Sequence, residues 1–298
     1  QLWRGKWVIA AFVVVCIALA IGYISVAKEK WTSSAIITQP DAAQIASYSN
    51  ALNILYGTAA PTMVDNQTRA IGRFNASFSA LSQALENQAV PEKLIIESTV
   101  KGQPLPLSVS YTSTSADAAQ KQLAQFIQQV DEQTAKELAA DLNDNIKEQI
   151  KTLKDSLKNQ ERVAQEQKDL RIKQIAEALK NAEAAKITSP QLQQTQEVTQ
   201  ETMFLLGSEG LKSMIDNEAS LPLVFPRAYY QTRRNLLDIQ NLNVNPETIH
   251  VYRYVMKPEL PVRRDSPKNA IVLILAVLLG GIIGSGVVLG RNALRNYK

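Results

Sequence analysis

The chain has 298 residues with 32 basic and 28 acidic side chains, a formal net charge of +4 and a pI near 9.0, so nothing in its balance demands nucleic acid as a partner. One histidine, His250, and one cysteine, Cys16, are too few for clustered metal ligation or His/Cys catalysis, and a single cysteine forms no intramolecular disulfide. No GxxxxGK[ST], HExxH or GxSxG pattern occurs, and the carboxylates sit among lysines as on solvated helix faces, so no catalytic residue, metal or cofactor is expected.

The first element is an apolar stretch from Val8 to Ala27, matched near the other end by Ala270 to Gly290. Each is about 20 residues without a charge, enough for a helix to cross a hydrocarbon core of roughly 30 Å. Two spans place both termini on one side. Ser25-Val26-Ala27 also has the small-x-small look of a signal cleavage site, with Arg4 and Lys6 ahead of the apolar run. That run exceeds the roughly 7 to 15 residues usual for a signal. The chain opens on Gln1 and not on Met, which leaves room for a leader. Cys16 lies inside the first span, facing lipid or a neighbouring helix.

Orientation is not decided by basic residues. Arg4, Lys6, Arg291, Arg295 and Lys298 on the terminal side balance Lys28, Lys30, Arg263, Arg264 and Lys268 on the other, all where anionic lipid headgroups account for them. Long loops translocate largely regardless of charge.

Between the spans, Trp31–Thr38 reads as a strand stopped by Gln39-Pro40, followed by a helix over Ala42–Tyr56 capped by Asp41. Ile71, Phe74, Phe78, Leu81 and Leu85 recur at helical spacing, in a helix that ends near Pro91. Leu94–Lys101 and Leu105–Tyr111 follow as strands around Gly102-Gln103-Pro104, and Thr248–Met256, which contains His250 in a structural role, is the last strand. Strand, helices, strand, strand, helical section, strand is the split βαβ order of ferredoxin-like domains. The helical section is then an insert between the third and fourth strands.

From Ser115 to about Ala185 there is no Pro and no Gly, while Ala, Gln, Lys, Glu and Leu dominate. Propensity favours one unbroken helix of roughly 105 Å. Its stripe Leu138, Leu142, Ile146, Ile150, Leu153, Leu157 repeats about every 3.8 residues, too long for a tight heptad coiled coil. So thin a stripe needs outside packing, which points to oligomerisation, to an intramolecular hairpin with a second helix begun at Ser189-Pro190, or to both. Leu205–Leu211 and Leu221–Pro226 break the return path, and Arg227–Leu242 is a further helix. On it, Arg227, Tyr229, Tyr230, Arg233 and Arg234 combine aromatic faces with cations, suited to a glycan or subunit contact or, alternatively, to a solvated face.

Before the second span stand Pro258, Pro261 and Pro267, which prevent a continuous helix into the membrane. Within it, Gly280 to Gly284 and Gly286 to Gly290 form two GxxxG steps that let another helix approach closely. The expected fold is an α+β membrane protein: two transmembrane helices flank a ferredoxin-like α/β base with a helical insertion about 100 Å long. The boundaries are 8–27 and 270–290 for the spans, 28–114 and 243–269 for the base, 115–242 for the helices, and tails over 1–7 and 291–298.

The spacing Pro258-x2-Pro261-x4-Ser266-Pro267-Lys268-x11-Gly280-x3-Gly284 resembles the signature of the polysaccharide co-polymerases. The whole chain is similar to that family's O-antigen chain-length determinants (Wzz) of the Gram-negative inner membrane. The resemblance implies a periplasmic loop, cytoplasmic termini and a ring-shaped homo-oligomer, with an octamer as one possibility. It also implies a non-enzymatic role in setting the modal length of lipopolysaccharide O-antigen, with the O-antigen polymerase, the growing polysaccharide and membrane lipid as partners. About eight residues after the second span are too few for the kinase domain of the family's other branch. Carried over by motif, Pro258, Pro261, Ser266, Pro267, Lys268, Gly280 and Gly284 would couple the spans to each other or to the polymerase, with Gly286 and Gly290 on the same helix. The alternative is that they only help the subunit fold. A periplasmic adaptor of an export machine, a two-span receptor and an enzyme acting on lipid-linked sugar are the competing readings.

Overall fold

The structure, a computed structural model, describes residues 6–191 and 198–295. Arg4, Lys298, most of the expected first tail and residues 192–197 lie outside the described residues. The chain divides into two compact units, Gln1–Asn50 with Pro61–Ala140 and Asn245–Lys298, and Ala51–Ala60 with Asp141–Val244.

In the first unit, helix α1 (Lys6–Val26) leads into strand β1 (Trp31–Thr38). A 3-10 turn at Ala42–Ile45 runs into α2 (Ala46–Tyr56), with Asp41 at the cap position: its N–H donates to Gln44 Oε1 at 2.8 Å. Helix α3 (Met63–Glu86) starts on a reciprocal cap, in which Thr62 N–H donates to Asp65 Oδ2 and Asp65 N–H to Thr62 Oγ1. Strands β2 (Lys93–Ser98) and β3 (Leu107–Ser113), helix α4 (Ala116–Ala184) through its part up to Ala140 and, far downstream, β4 (Arg253–Met256) complete the base.

The sheet order is β2-β3-β1-β4 with every neighbouring pair antiparallel, which is the arrangement that split βαβ connectivity requires. Strand alternation puts Ser33, Ala35 and Ile37 directly opposite Tyr111, Val109 and Leu107, all buried on one face. Phe74 and Phe78 of α3 are fully buried, and Phe74 meets Tyr252 at 5.3 Å; Phe126 of α4 packs edge-on to Tyr111 at 5.3 Å. Burial of each such ring is worth about 1.5–3 kcal/mol.

The last strand is shorter than the sequence suggests. Over 248–252 the backbone is not in a ladder: His250 N–H donates to Gln44 O, Val251 N–H to Asp131 Oδ1, and Tyr252 O accepts from Gln44 Nε2. The Gln44 backbone carbonyl and the side chains of Gln44 and Asp131 take the hydrogen bonds that a neighbouring strand would have used, so His250 precedes the strand instead of lying in it. His250 Nδ1 lies 2.9 Å from Asp131 Oδ2, a structural pairing.

In the second unit the distal part of α4 is accompanied by a 3-10 turn at Met203–Leu206, by α5 (Ser208–Ser220) and by α6 (Arg227–Gln240). Ile175, Ala178, Ala182 and Leu211 form a buried cluster capped by Phe204 and Met214. Contacts then descend α4 as the chain returns: Lys212 to Glu183, Arg171 to Glu218, Tyr229 to Glu161, Gln160 to Thr232 and Asn143 to Val244. That is the intramolecular hairpin. The residues 192–197 over which a helix begun at Ser189-Pro190 would run lie outside the described residues. Among the described residues the first α-helix of the returning arm begins at Ser208, after Gly207 (φ 77°), where a Cβ would fall 2.6 Å from Thr188 O. Only glycine permits that backbone approach.

The 69 residues of α4 are unbroken, as the absence of Gly and Pro predicts, and extend roughly 104 Å. Leu138, Leu142 and Ile146 of its stripe are buried and Ile150, Leu153 and Leu157 half-buried.

Candidate functional site

Helix α7 (Asn269–Arg295) returns alongside α1. Both are long and apolar enough to cross a membrane, over Lys6–Val26 and Asn269–Gly290. A Cβ at Gly280 would lie 2.7 Å from Val13 Cα, and one at Gly284 2.9 Å from Ile9 Cα. The pairing of 280 with 13 and 284 with 9 makes the two helices antiparallel. Ala276, Gly280, Gly284 and Val288, four apart, are the buried residues of α7 up to Gly290, so the seam is a row of small side chains closed by a valine. Gly286 and Gly290 have open space where a Cβ would stand. The two GxxxG steps are therefore not equivalent: only the first touches α1.

The proline-bearing segment ties this pair to the sheet. Ser33 Oγ donates to Glu259 O at 2.7 Å and Gln120 Nε2 to Pro258 O at 2.9 Å, which fixes the strand exit. Nearer the helices, Lys30 N–H donates to Ser266 O and Asp265 N–H to Lys30 O, and Arg264 pairs with Glu29 at 2.6 Å. Pro267 is buried, Pro258, Pro261 and Ser266 half-buried, and Lys268 exposed. A shallow cavity of about 450 Å³ lies here, lined among others by Trp31, Arg263, Pro267 and Lys268. Pro258, Pro261, Ser266 and Pro267 thus shape a strap between sheet and helix, while Gly280 and Gly284 form the helix contact below it.

The aromatic and basic group on α6 divides. Tyr229 points inward, 8% exposed, stacked on Phe225 at 4.0 Å, with its hydroxyl donating to Glu161 Oε1 at 2.8 Å. The hydrogen bond to this carboxylate pushes its phenol pKa up. Arg227, Tyr230, Arg233 and Arg234 are exposed. Asp131, absent from the expected site, is the buried acid that organises the approach to β4. Its only signal in the sequence was a carboxylate on the apolar flank of α4, indistinguishable there from solvated neighbours. Among the described residues no group of three His, Cys, Asp or Glu is arranged to hold a metal.

Two apolar helices packed antiparallel through glycines, a split βαβ base and a long helical hairpin inserted between its third and fourth strands together define the polysaccharide co-polymerase class. The family model for chain length determinant proteins (Wzz) matches residues 1–98. The chain is 68% identical over 298 residues to a chain length determinant protein of Salmonella typhimurium, covering all of this chain and 91% of that one. The chain belongs to the chain length determinant family. Among solved structures, a full-length bacterial polysaccharide co-polymerase superposes with a TM-score of 0.87 at 63% identity, covering 100% of this chain and 97% of that one. The Shigella flexneri lipopolysaccharide O-antigen chain-length regulator gives 0.69 at 60% identity over 78% of this chain and 100% of that one. A Wzz dodecamer gives 0.62 at 64% identity over 79% of this chain and 100% of its own. That relative has twelve subunits, a number that differs from the octamer given above as one possibility.

Proposed function

We propose that this protein regulates the modal length of lipopolysaccharide O-antigen without itself catalysing a reaction, as a ring-shaped homo-oligomeric scaffold acting on the O-antigen polymerase and its growing polysaccharide. The observation that carries the reading is end-to-end similarity to the Salmonella chain length determinant, supported by the similarity to the Shigella O-antigen regulator. In this reading α1 and α7 cross the bacterial inner membrane, residues 28–269 are periplasmic, and the tails over 1–7 and 291–298 are cytoplasmic. The strap with Pro258, Pro261, Ser266, Pro267 and Lys268 sets the angle at which α7 leaves the base. Gly280 and Gly284 hold α7 to α1, leaving Gly286 and Gly290 for a further helix, and the exposed Arg227, Tyr230, Arg233 and Arg234 form a contact surface for glycan or subunit.

The test is the O-antigen ladder of a strain lacking the gene, with and without the gene restored. Restoration is expected to turn a broad distribution into a clustered one. An unchanged ladder would overturn the reading in favour of an export-machine adaptor.

A further inference from the structure

The shallow cavity beside the strap holds positive charge that the fold does not use. Its ionised lining residues are Glu29, Arg263, Arg264 and Lys268, three cations against one acid. That acid is already engaged twice: Glu29 Oε1 accepts from Arg264 at 2.6 Å and Oε2 from Trp31 Nε1 at 3.0 Å. Arg263 and Lys268 are exposed, and among the described residues neither side chain has an ion pair or a hydrogen bond. The neighbouring cavity of about 640 Å³ differs, because Lys28, Lys30 and Lys93 are matched there by Glu29, Glu92 and Asp265.

Depth decides what meets the free cations. Helix α1 ends at Val26 and the apolar window of α7 begins at Asn269, so Glu29 and Lys268 stand within three residues of the ends of the two helices. The Arg264–Glu29 pair and the backbone bonds of Lys30 with Asp265 and Ser266 hold those two ends together. A headgroup layer is roughly 5–7 Å deep on each side of the hydrocarbon core, and the cavity opens at that level. Its edge is apolar: Val262 is 92% exposed, beside the indole of Trp31. Ring, aliphatic side chain and cation together suit a membrane–water interface.

We propose that this cavity seats the headgroup of an anionic phospholipid, with its phosphodiester on Arg263 and Lys268 and its glycerol end against Trp31 and Val262. The inference rests on the reading above in which α1 and α7 cross the membrane. The guanidinium of Arg263 presents a fork that matches two phosphate oxygens, and Lys268 adds a point charge. A zwitterionic headgroup brings its own ammonium, which the excess of cations repels, so the site selects by charge. Free phosphate offers the same oxygens without the apolar end and is the competing occupant.

The experiment uses Trp31 as its reporter. Trp3→Phe and Trp7→Phe leave it the sole tryptophan of the full-length chain. The protein is reconstituted in vesicles of phosphatidylcholine brominated on its acyl chains, at about 0.15 M salt, where a Debye length of about 8 Å confines the effect to nearby charges. Unbrominated phosphatidylglycerol or phosphatidylcholine is then titrated in, and relief of Trp31 quenching reads the preference at the cavity. Phosphatidylglycerol is expected to relieve quenching at the lower mole fraction. Its advantage should fall about fivefold for each cation removed in Arg263→Gln and Lys268→Gln, and stay in place in Lys93→Gln. Arg263→Lys with Lys268→Arg keeps both charges and should retain most of the preference, which separates loss of charge from misfolding. Equal relief by both lipids, an unchanged preference in the glutamine variants, or loss in the charge-keeping pair overturns the assignment. Abolition of the preference by inorganic phosphate at constant ionic strength gives the site to a free anion and overturns it too. Release of the chain from native membranes by alkaline carbonate would overturn the membrane-spanning reading itself; a chain that resists carbonate and shows no lipid preference overturns the site alone.

Discussion

Replacing Gly280 and Gly284 by leucine separates a contact role for these glycines from a merely permissive one. A Cβ at Gly280 would stand 2.7 Å from Val13 Cα, 3.1 Å from its N and 3.2 Å from Phe12 O, all backbone atoms that no side-chain rotation can move aside. Carbon atoms rest at about 3.5–4.0 Å, so the first added carbon alone forces the helices apart by on the order of 1 Å. A gap of about 0.5–1 Å already forfeits a quarter to a half of each contact along the seam. Overpacking of this kind costs about 1–3 kcal/mol per site. The two positions share one seam, so the double variant should cost less than the sum. Gly281, one residue away, has nothing within 4 Å and is the matched control. At equal expression, Gly280→Leu with Gly284→Leu is expected to lower the thermal midpoint in detergent and to broaden or shift the O-antigen ladder, while Gly281→Leu leaves both in place. Equal effects from Gly281→Leu, or an unchanged ladder in the seam variant, would refute the reasoning.

Three further outcomes follow from the base. Asp131→Ala strands the buried Val251 N–H that the carboxylate accepts at 2.8 Å and should cost about 1–3 kcal/mol, with faster hydrogen exchange at Val251. His250→Ala, which leaves that bond in place, should cost less. Tyr111 donates to Glu92 at 2.7 Å, and burial first, then this bond and the charge of Glu92, push its phenol up from 10.0 to about 12. The phenol is thus held neutral in the fold. Its contribution is complete below about pH 10 and is lost as pH rises from there through about 12. Tyr111→Phe should flatten that part of an alkaline stability profile and remove one late step from the phenolate absorbance titration.

What could be read from the sequence was whatever local chemistry fixes. The unbroken α4 needed only the absence of Gly and Pro, and the sheet order followed from the succession of elements. Strand β4 was overextended because the bonds that replace its first ladder rungs come from the backbone and side chain of Gln44 and from the carboxylate of Asp131, distant in sequence and invisible to periodicity. Gly207, which opens the described returning helix at Ser208, carries no helix signal of its own in the sequence, because its close backbone approach to Thr188 is set by tertiary packing. Tyr229 and Tyr230 are adjacent and identical in type; only the position of Glu161 and Phe225 turns one inward. Likewise the two GxxxG steps are alike as text, and the location of Val13 and Ile9 is what distinguishes them.

The sheet has a bearing on how such a chain can vary. Strand β1 lies between β3 and β4 and pairs with both, so the points where the helical section leaves and rejoins the base are stitched to one common strand. The strand pairings are the same whatever the reach of the excursion. Whole turns can be added to or removed from α4, with a matching change in the returning helices, without altering a single residue pairing in the base. Reach is a free parameter in this architecture, and selection can tune it while the anchoring of the chain stays fixed.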